Sequence, residues 1–136
     1  MEICKGQSAC VSKTISESDV YGFAGIVGDF NGVHVNKVAA EQSIFKKRVA
    51  HGMLVGSFIS SVLGTKFPGE GTVYMEQDLK FKAPVYYDDT ITATVTVTDI
   101  VNKEKGIYRL DTNVVNQSGQ VVIDGYAIIK YLPKQE

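Results

Sequence analysis

Cysteine, tryptophan and proline are scarce in this sequence. Its 136 residues include two cysteines, three prolines and no tryptophan. Cys4 and Cys10 do not form a Cys-x-x-Cys pair, and no second pair of ligands completes a zinc site. We therefore predict no metal and no disulfide, and expect both thiols to stay reduced in the cytoplasm.

A large charge of one sign and a long apolar run are also missing. Lysine and arginine number 14 against 15 acidic residues, so the formal net charge is −1. This balance argues against a nucleic-acid partner, because nucleic-acid-binding proteins usually carry a basic excess. The most apolar segment, GMLVGSFISSVLG, is too short to span a membrane, and the N-terminus MEICKGQSAC does not resemble a signal peptide. The sequence predicts one cytoplasmic domain, residues 1–136, that does not enter a membrane.

The N-terminal half predicts helices. After a first strand in ACVSKTI, Ser16 and Asp19 form a weak capping box ahead of apolar residues at helical spacing, and Gly28 is a suitable end. Asn36 can cap a second helix, KVAAEQSIF. The segment HGMLVGSFISSVLG then predicts the most apolar helix of the chain, which we expect to run through the core.

The C-terminal half predicts strands. The segment DTITATVTVTDI alternates cleanly, with Ile91, Ala93, Val95 and Val97 on one face, and NKEKG and NQSG are typical of turns. Helices followed by antiparallel strands predict an α+β fold. An antiparallel sheet wrapped around a long central apolar helix is the hot-dog fold.

The segment GDFNGVHVN holds the residues with chemical potential. Asp29 and His34 lie five positions apart, an offset that would turn them roughly 140° from each other on a continuous helix. We therefore expect a non-helical loop, which Gly32 allows. A carboxylate and an imidazole in one pocket can move a proton near neutral pH, and Asn31 adds an amide that can fix the loop or hold a polar group.

Two features of the apolar helix favour catalysis over the alternative that Asp29 only turns the chain. Gly52 lies where the helix begins, so its N–H and the positive end of the dipole can stabilise a developing oxyanion. Ser60 can direct its hydroxyl into the same cavity, although bonding back to a helix carbonyl is an alternative. We expect His51 to be a structural neighbour of Gly52.

The motif GDFNGVH, followed by HGM, resembles the MaoC-like (R)-specific enoyl-CoA hydratases, a hot-dog family with the signature G-D-x-N-P-x-H. Gly28, Asp29, Asn31 and His34 match this signature, whereas Gly32 stands where the family usually has proline. The downstream strands are similar too, so the resemblance covers nearly the whole chain.

The resemblance implies reversible hydration of trans-2-enoyl-CoA to (R)-3-hydroxyacyl-CoA, with short to medium acyl chains. Asp29 and His34 would hold one water against C3, and the Gly52 N–H would stabilise the enolate-like state. Asn31 would support the loop or the water, while Ser60 would line the site. No cofactor or metal would be required, because the CoA thioester itself activates the alkene. The resemblance also implies a homodimer and an acyl tunnel that closes near residues 60–64 and the last strand.

Two other functions stay open. A hot-dog acyl-CoA thioesterase would use the same fold, although such enzymes usually carry a carboxylate on the central helix and residues 53–65 contain none. A non-catalytic acyl-thioester-binding module is the third hypothesis, favoured only by Gly32. The basic cluster Lys46, Lys47 and Arg48 also has two interpretations, as a contact for CoA phosphates or as a solvated helix end.

Overall fold

The helices and strands follow one another in two blocks. The computed structural model describes residues 1–133, and residues 134–136 of the predicted domain lie outside the described part. The strands are β1 (Ser8–Thr14), β2 (Thr72–Gln77), β3 (Lys80–Phe81), β4 (Thr90–Asn102), β5 (Ile107–Val115) and β6 (Val121–Tyr131). The helices are α1 (Glu17–Val27), α2 (Gly32–Val35), α3 (Lys37–Glu41) and α4 (Gly52–Ser61), and α4 continues into a π-helical turn, Val62–Lys66. These helices all precede β2, as the sequence predicts.

The strands form one antiparallel sheet. Its order is β1-β4-β5-β6-β2, and β3 also pairs with β6. The register aligns residues that face the same side on neighbouring strands: Val11 with Ala93, Val95 with Thr112, and Leu110 with Ala127. One face of the sheet is therefore a continuous apolar surface.

Strand β4 confirms the alternation read from the sequence. Ile91, Ala93 and Val95 are fully buried. The opposite face carries threonines that meet hydroxyls of β1, with Ser12 and Thr92 joined at 2.7 Å. The period of two thus separates a face that packs on the core from a polar outer face.

Helix α4 packs its buried side on the apolar face of the sheet. Val55 and Ile59 are 1% and 0% exposed, and Leu63 in the π-helical turn is 1% exposed. The curled sheet around this helix confirms the hot-dog fold. The other side of α4 is open, because Met53 is 59% exposed and Ser57 and Ser60 are exposed too. Only one side of the helix therefore lies in the core of this chain.

Two predicted elements are shorter than expected. The helix predicted over KVAAEQSIF ends at Glu41, and Ser43 Oγ then donates to the Ala40 carbonyl at 2.6 Å, which competes with a further helical bond. The C-terminal half, which is predicted to form strands, begins with two short ones, β2 and β3, and residues 82–89 then run irregularly around Pro84. Within residues 1–133, no helix has both the length and the apolarity that a membrane span requires.

Candidate active site

Helix α1 leads the chain to the site and ends at Gly28. Ser16 Oγ accepts the Asp19 N–H at 3.0 Å, and Asp19 Oδ2 accepts the Ser16 N–H at 2.9 Å, so the predicted capping box is complete. Gly28 takes a left-handed φ of 78° and donates its N–H to the Ala24 carbonyl at 2.8 Å. The helix therefore stops immediately before Asp29.

A single helical turn, α2, carries His34. Asp29 Oδ1 accepts the Asn31 N–H at 3.1 Å, and Asn31 Oδ1 accepts the Val33 N–H at 3.2 Å, which makes Asn31 the N-cap of α2. The prediction of a wholly non-helical loop is wrong, because this cap starts a helix within the segment. The chain still breaks its helical course between Asp29 and His34, at residues 28–31.

Gly32 is the first residue of α2, a position that favours proline in helices. Asn31 has φ −53° and ψ 133°, which is the extended conformation required of a residue before proline. A Cβ at Gly32 would lie 3.0 Å from the Ala39 Cβ. Asn31 thus already has the conformation that a proline at position 32 requires, but the Cβ of that proline would oblige Ala39 to shift by a few tenths of an ångström.

A hydrogen bond to the main chain fixes the ring of His34. Its Nδ1 lies 2.7 Å from the Val49 carbonyl oxygen. Since a carbonyl only accepts, Nδ1 must carry the proton of the neutral ring. Nε2 therefore presents a lone pair that can accept a proton.

His51 contacts both of the predicted catalytic residues. It is only 3% exposed, and its ring stacks on that of His34 with 3.8 Å between centroids. Its Nε2–H donates to the Asp29 backbone carbonyl at 3.0 Å. These contacts agree with the structural role expected for His51, which here supports both neighbours.

The polar side-chain atoms of Asp29, His34 and His51 lie close together. One ligand-type atom of each lies within 4.8 Å of those of the other two. One water molecule that hydrogen-bonds to two groups spans such a separation. Each of the three side chains offers one atom of a type that also binds metal ions, so the same group could hold a cation. Each ring donates one N–H to a backbone carbonyl, which fixes its orientation and leaves its other nitrogen able to accept a hydrogen bond.

An apolar cavity of about 570 Å³ opens beside His34. Both His34 and Gly52 line it. The apolar lining includes Val33, Val49, Val55, Phe81, Val85 and Ile123. Asp29 is exposed and stands next to His34 outside this lining. The polar atoms of Asp29 and His34 therefore lie close together at the edge of an apolar cavity.

Gly52 is the first residue of α4 and meets the cavity with its backbone. His51, the N-cap, makes no side-chain bond to the first turn of the helix. The first helical bond runs from the Val55 N–H to the His51 carbonyl at 3.2 Å, so the N–H groups before Val55 belong to the uncapped turn. A Cβ at Gly52 would lie 2.7 Å from the Phe81 ring. Glycine is therefore required for this close approach.

Ser60 faces a different cavity, of about 380 Å³, together with Ser57, Tyr74 and Gln77. The structure of this chain therefore does not bring Ser60 to His34. Leu63, near the predicted closed end of the tunnel, is buried in the core and does not line the His34 cavity.

The three side chains of the basic cluster differ in their contacts. Lys46 is exposed, whereas Lys47 Nζ lies 4.5 Å from the centroid of the Tyr86 ring. Arg48 pairs with Glu17 at 2.8 Å. Arg48 is thus held within the fold and matches neither interpretation, whereas Lys46 and Lys47 are both exposed.

The chain is similar to known proteins over most of its length. The family described as MaoC like domain matches residues 3–118. The (R)-specific enoyl-CoA hydratase of Rhodospirillum rubrum is 53% identical over 94% of this chain and 88% of its own length. The Aeromonas caviae enzyme of the same name is 38% identical over 92% of each chain.

Solved structures give the same answer. The Aeromonas caviae (R)-hydratase involved in PHA biosynthesis superposes with a TM-score of 0.92 at 36% identity, covering 96% of this chain and 98% of its own. The unliganded R-hydratase PhaJ1 of Pseudomonas aeruginosa superposes with a TM-score of 0.90 at 37% identity, covering 99% of this chain and 90% of its own. The resemblance read from GDFNGVH is confirmed, and the chain belongs to the MaoC-like domain family.

Proposed function

We propose that this protein catalyses the reversible hydration of trans-2-enoyl-CoA to (R)-3-hydroxyacyl-CoA. The main support is the pairing of the Asp29 carboxylate with a ring-fixed His34 within 4.8 Å, at the edge of the apolar cavity. The relatives named (R)-specific enoyl-CoA hydratase, one of them 53% identical, support both the reaction and its stereochemistry.

In the proposed reaction, one water lies between Asp29 and His34. The water oxygen forms a bond to C3 of the enoyl thioester while one of its protons passes to the Asp29–His34 pair. A proton from the same pair adds to C2, so the product gains one water in total. Because His34 Nδ1–H is held by Val49, its Nε2 is the nitrogen able to receive the proton.

Negative charge builds on the thioester oxygen as the new C–O bond forms. The Gly52 N–H, at the positive end of α4, is suited to stabilise that charge. The apolar walls exclude bulk water, which strengthens such a bond. Within this proposal the protein needs no cofactor, because the thioester itself activates the alkene.

We expect short to medium acyl chains, since the cavity is about 570 Å³ and Val55 and Ile123, both nearly fully buried, form part of its wall. Asn31 keeps its role as support of the loop, through its cap of α2. Ser60 would contribute only if the acyl chain extended towards the second cavity.

Cys4 and Cys10 are free and exposed, which suits the reducing cytoplasm, and cell fractionation tests that location.

The proposal is tested with crotonyl-CoA and the purified protein. We expect loss of the conjugated enoyl-thioester absorbance and formation of 3-hydroxybutyryl-CoA with the (R) configuration, measured by chiral chromatography. Release of free CoA thiol, detected with a thiol reagent, would instead indicate a thioesterase. Tight binding with neither change would indicate a non-catalytic module.

We also propose that two copies associate through the open side of α4 and the edge strand β2. Met53, Val73 and Met75 are each more than half exposed there, at 59%, 56% and 53%. Such a group of apolar side chains at a sheet edge is suited to a second copy of the same chain.

We expect light scattering to give twice the chain mass for the wild type. Val73→Glu should shift the protein towards the monomer, because it would bury a charge in the interface. Val101→Glu is the matched control, since Val101 is 52% exposed on β4. A monomeric wild type, or equal behaviour of both variants, would contradict this interface.

A further inference from the structure

The helix that carries His34 depends on donors from elsewhere in the chain. Helix α2 has only four residues, and a single turn is not stable alone. The Gly32 carbonyl accepts the Asn36 N–H at 2.8 Å, within the local chain. The next three carbonyls accept from distant groups: Val33 O from the Val49 N–H at 3.0 Å, His34 O from the Tyr87 hydroxyl, and Val35 O from the Tyr21 hydroxyl at 2.8 Å.

Arg48 connects the two tyrosines. Its Nη1 donates to Tyr21 Oη at 3.1 Å and pairs with Glu17 Oε1 at 2.8 Å. Its Cζ also lies 4.7 Å from the centroid of the Tyr87 ring. One guanidinium thus contacts both hydroxyl-bearing side chains that hold α2.

We propose that Tyr21, Arg48 and Tyr87, termed the α2 clamp, are positioning residues that orient His34 for catalysis. The inference rests on the proposed hydratase function. Tyr21, Arg48 and Tyr87 do not line the cavity beside His34. The clamp therefore acts on His34 through the backbone of α2. Substrate would therefore meet His34 without touching the clamp.

The glycine at the start of α2 explains why outside contacts are needed to hold this helix. Gly32 leaves the start of α2 without the stiffness of a proline, so the position of His34 depends on how the α2 backbone is held from outside, in addition to the bond of its ring to Val49. Burial raises the pKa of Tyr87, although Arg48 opposes this, so its hydroxyl keeps the proton that the His34 carbonyl accepts. A displacement of about 1 Å at a reacting group can lower a rate about 10²-fold.

The first test is the double variant Tyr21→Phe/Tyr87→Phe. We expect kcat for crotonyl-CoA hydration to fall about 10- to 100-fold, while KM changes less than about twofold because the lining is intact. Tyr86→Phe is the matched control. Tyr86 also donates a hydroxyl to a distant carbonyl, that of Phe45 at 3.0 Å, but this bond lies outside α2. We expect Tyr86→Phe to keep wild-type kcat.

Arg48→Met tests the link between the tyrosines. We expect kcat to fall about tenfold, again with little change in KM. Lys13→Met is the matched control, because Lys13 forms an ion pair of the same length, 2.8 Å, with Asp19 of helix α1 but does not contact a tyrosine of the clamp. Equal kcat values for the two variants would exclude a role for Arg48 in positioning.

A measurement without substrate separates the clamp from the proposed reaction. The chain has two histidines, so imidazole ¹⁵N spectra contain few signals, which His34→Ala assigns. We expect the Nδ1–H tautomer pattern of His34 to shift towards tautomeric averaging in the double tyrosine variant and to persist in Tyr86→Phe. If the Nδ1–H tautomer pattern of His34 persists in the double tyrosine variant and kcat keeps its wild-type value, the clamp proposal is wrong. If wild type fails to hydrate crotonyl-CoA but the spectra change as expected, the clamp stands and the proposed reaction fails.

Discussion

Asp29→Asn is expected to lower the rate of enoyl-CoA hydration by about 10²–10⁴, the usual contribution of a general acid or base. Asparagine keeps an oxygen that can accept the Asn31 N–H, so the start of α2 should survive. It removes the negative charge and the ability to take or give a proton. Steady-state kinetics with crotonyl-CoA measure the effect, and thermal melting confirms that the variant is folded.

His34→Ala should cause a loss of the same order, because it deletes one of the two groups proposed to exchange the proton. The melting temperature of this variant is compared with that of wild type, since the change also removes the bond to Val49 and the stack on His51. Asp99→Asn is the control for a surface carboxylate, as Asp99 is exposed and lies on β4. Full activity in both Asp29→Asn and His34→Ala would show that the site lies elsewhere.

Gly52→Pro should lower the hydration rate about 10²–10³-fold relative to Gly52→Ala, which is roughly the effect of losing one oxyanion donor. Proline is favoured at the first position of a helix and removes the N–H proposed to meet the thioester oxygen. His51, with φ −62° and ψ 132°, already has the conformation required before proline.

The close Phe81 ring requires a matched background for this experiment. Both Gly52→Pro and Gly52→Ala are made with Phe81→Ala, which removes the ring atoms that a Cβ would approach to 2.7 Å. The two variants share the added Cβ, whereas only proline replaces the N–H with its ring, so the ratio of their rates reports the loss of the amide together with the added ring atoms. Equal rates would mean that another donor stabilises the developing charge.

The fold follows from regular patterns that the sequence displays. The alternation of Ile91, Ala93, Val95 and Val97 predicts a buried strand face, and all four are buried because they pack towards α4. The Ser16 capping box also forms as predicted. Local signals succeed at these points because the interactions are local or because one period governs many residues.

The fine structure of the site is less accessible from the sequence. Helix α2 is stabilised by groups that lie 14 to 53 positions away along the chain, namely Tyr21, Val49 and Tyr87. Because these contacts are distant in sequence, no local sequence pattern predicts them. Ser60 lies on the expected helix but turns to the second cavity, since a helical position fixes the direction of a side chain only once the packing of the helix is known. The motif therefore identifies the chemical groups, whereas tertiary contacts determine which of them meet.

The two walls of the cavity differ in how freely they can change. Val55 and Ile123 belong to the hydrophobic core, so truncating either would lower the free energy of unfolding by roughly 1–4 kcal/mol. Lys82 and Pro84 also line the cavity, yet both are exposed and lie outside the strands. Natural variation in acyl preference can therefore accumulate along this outer wall while the fold keeps its stability, and proteins with the same α4 can diverge in the thioesters that they accept.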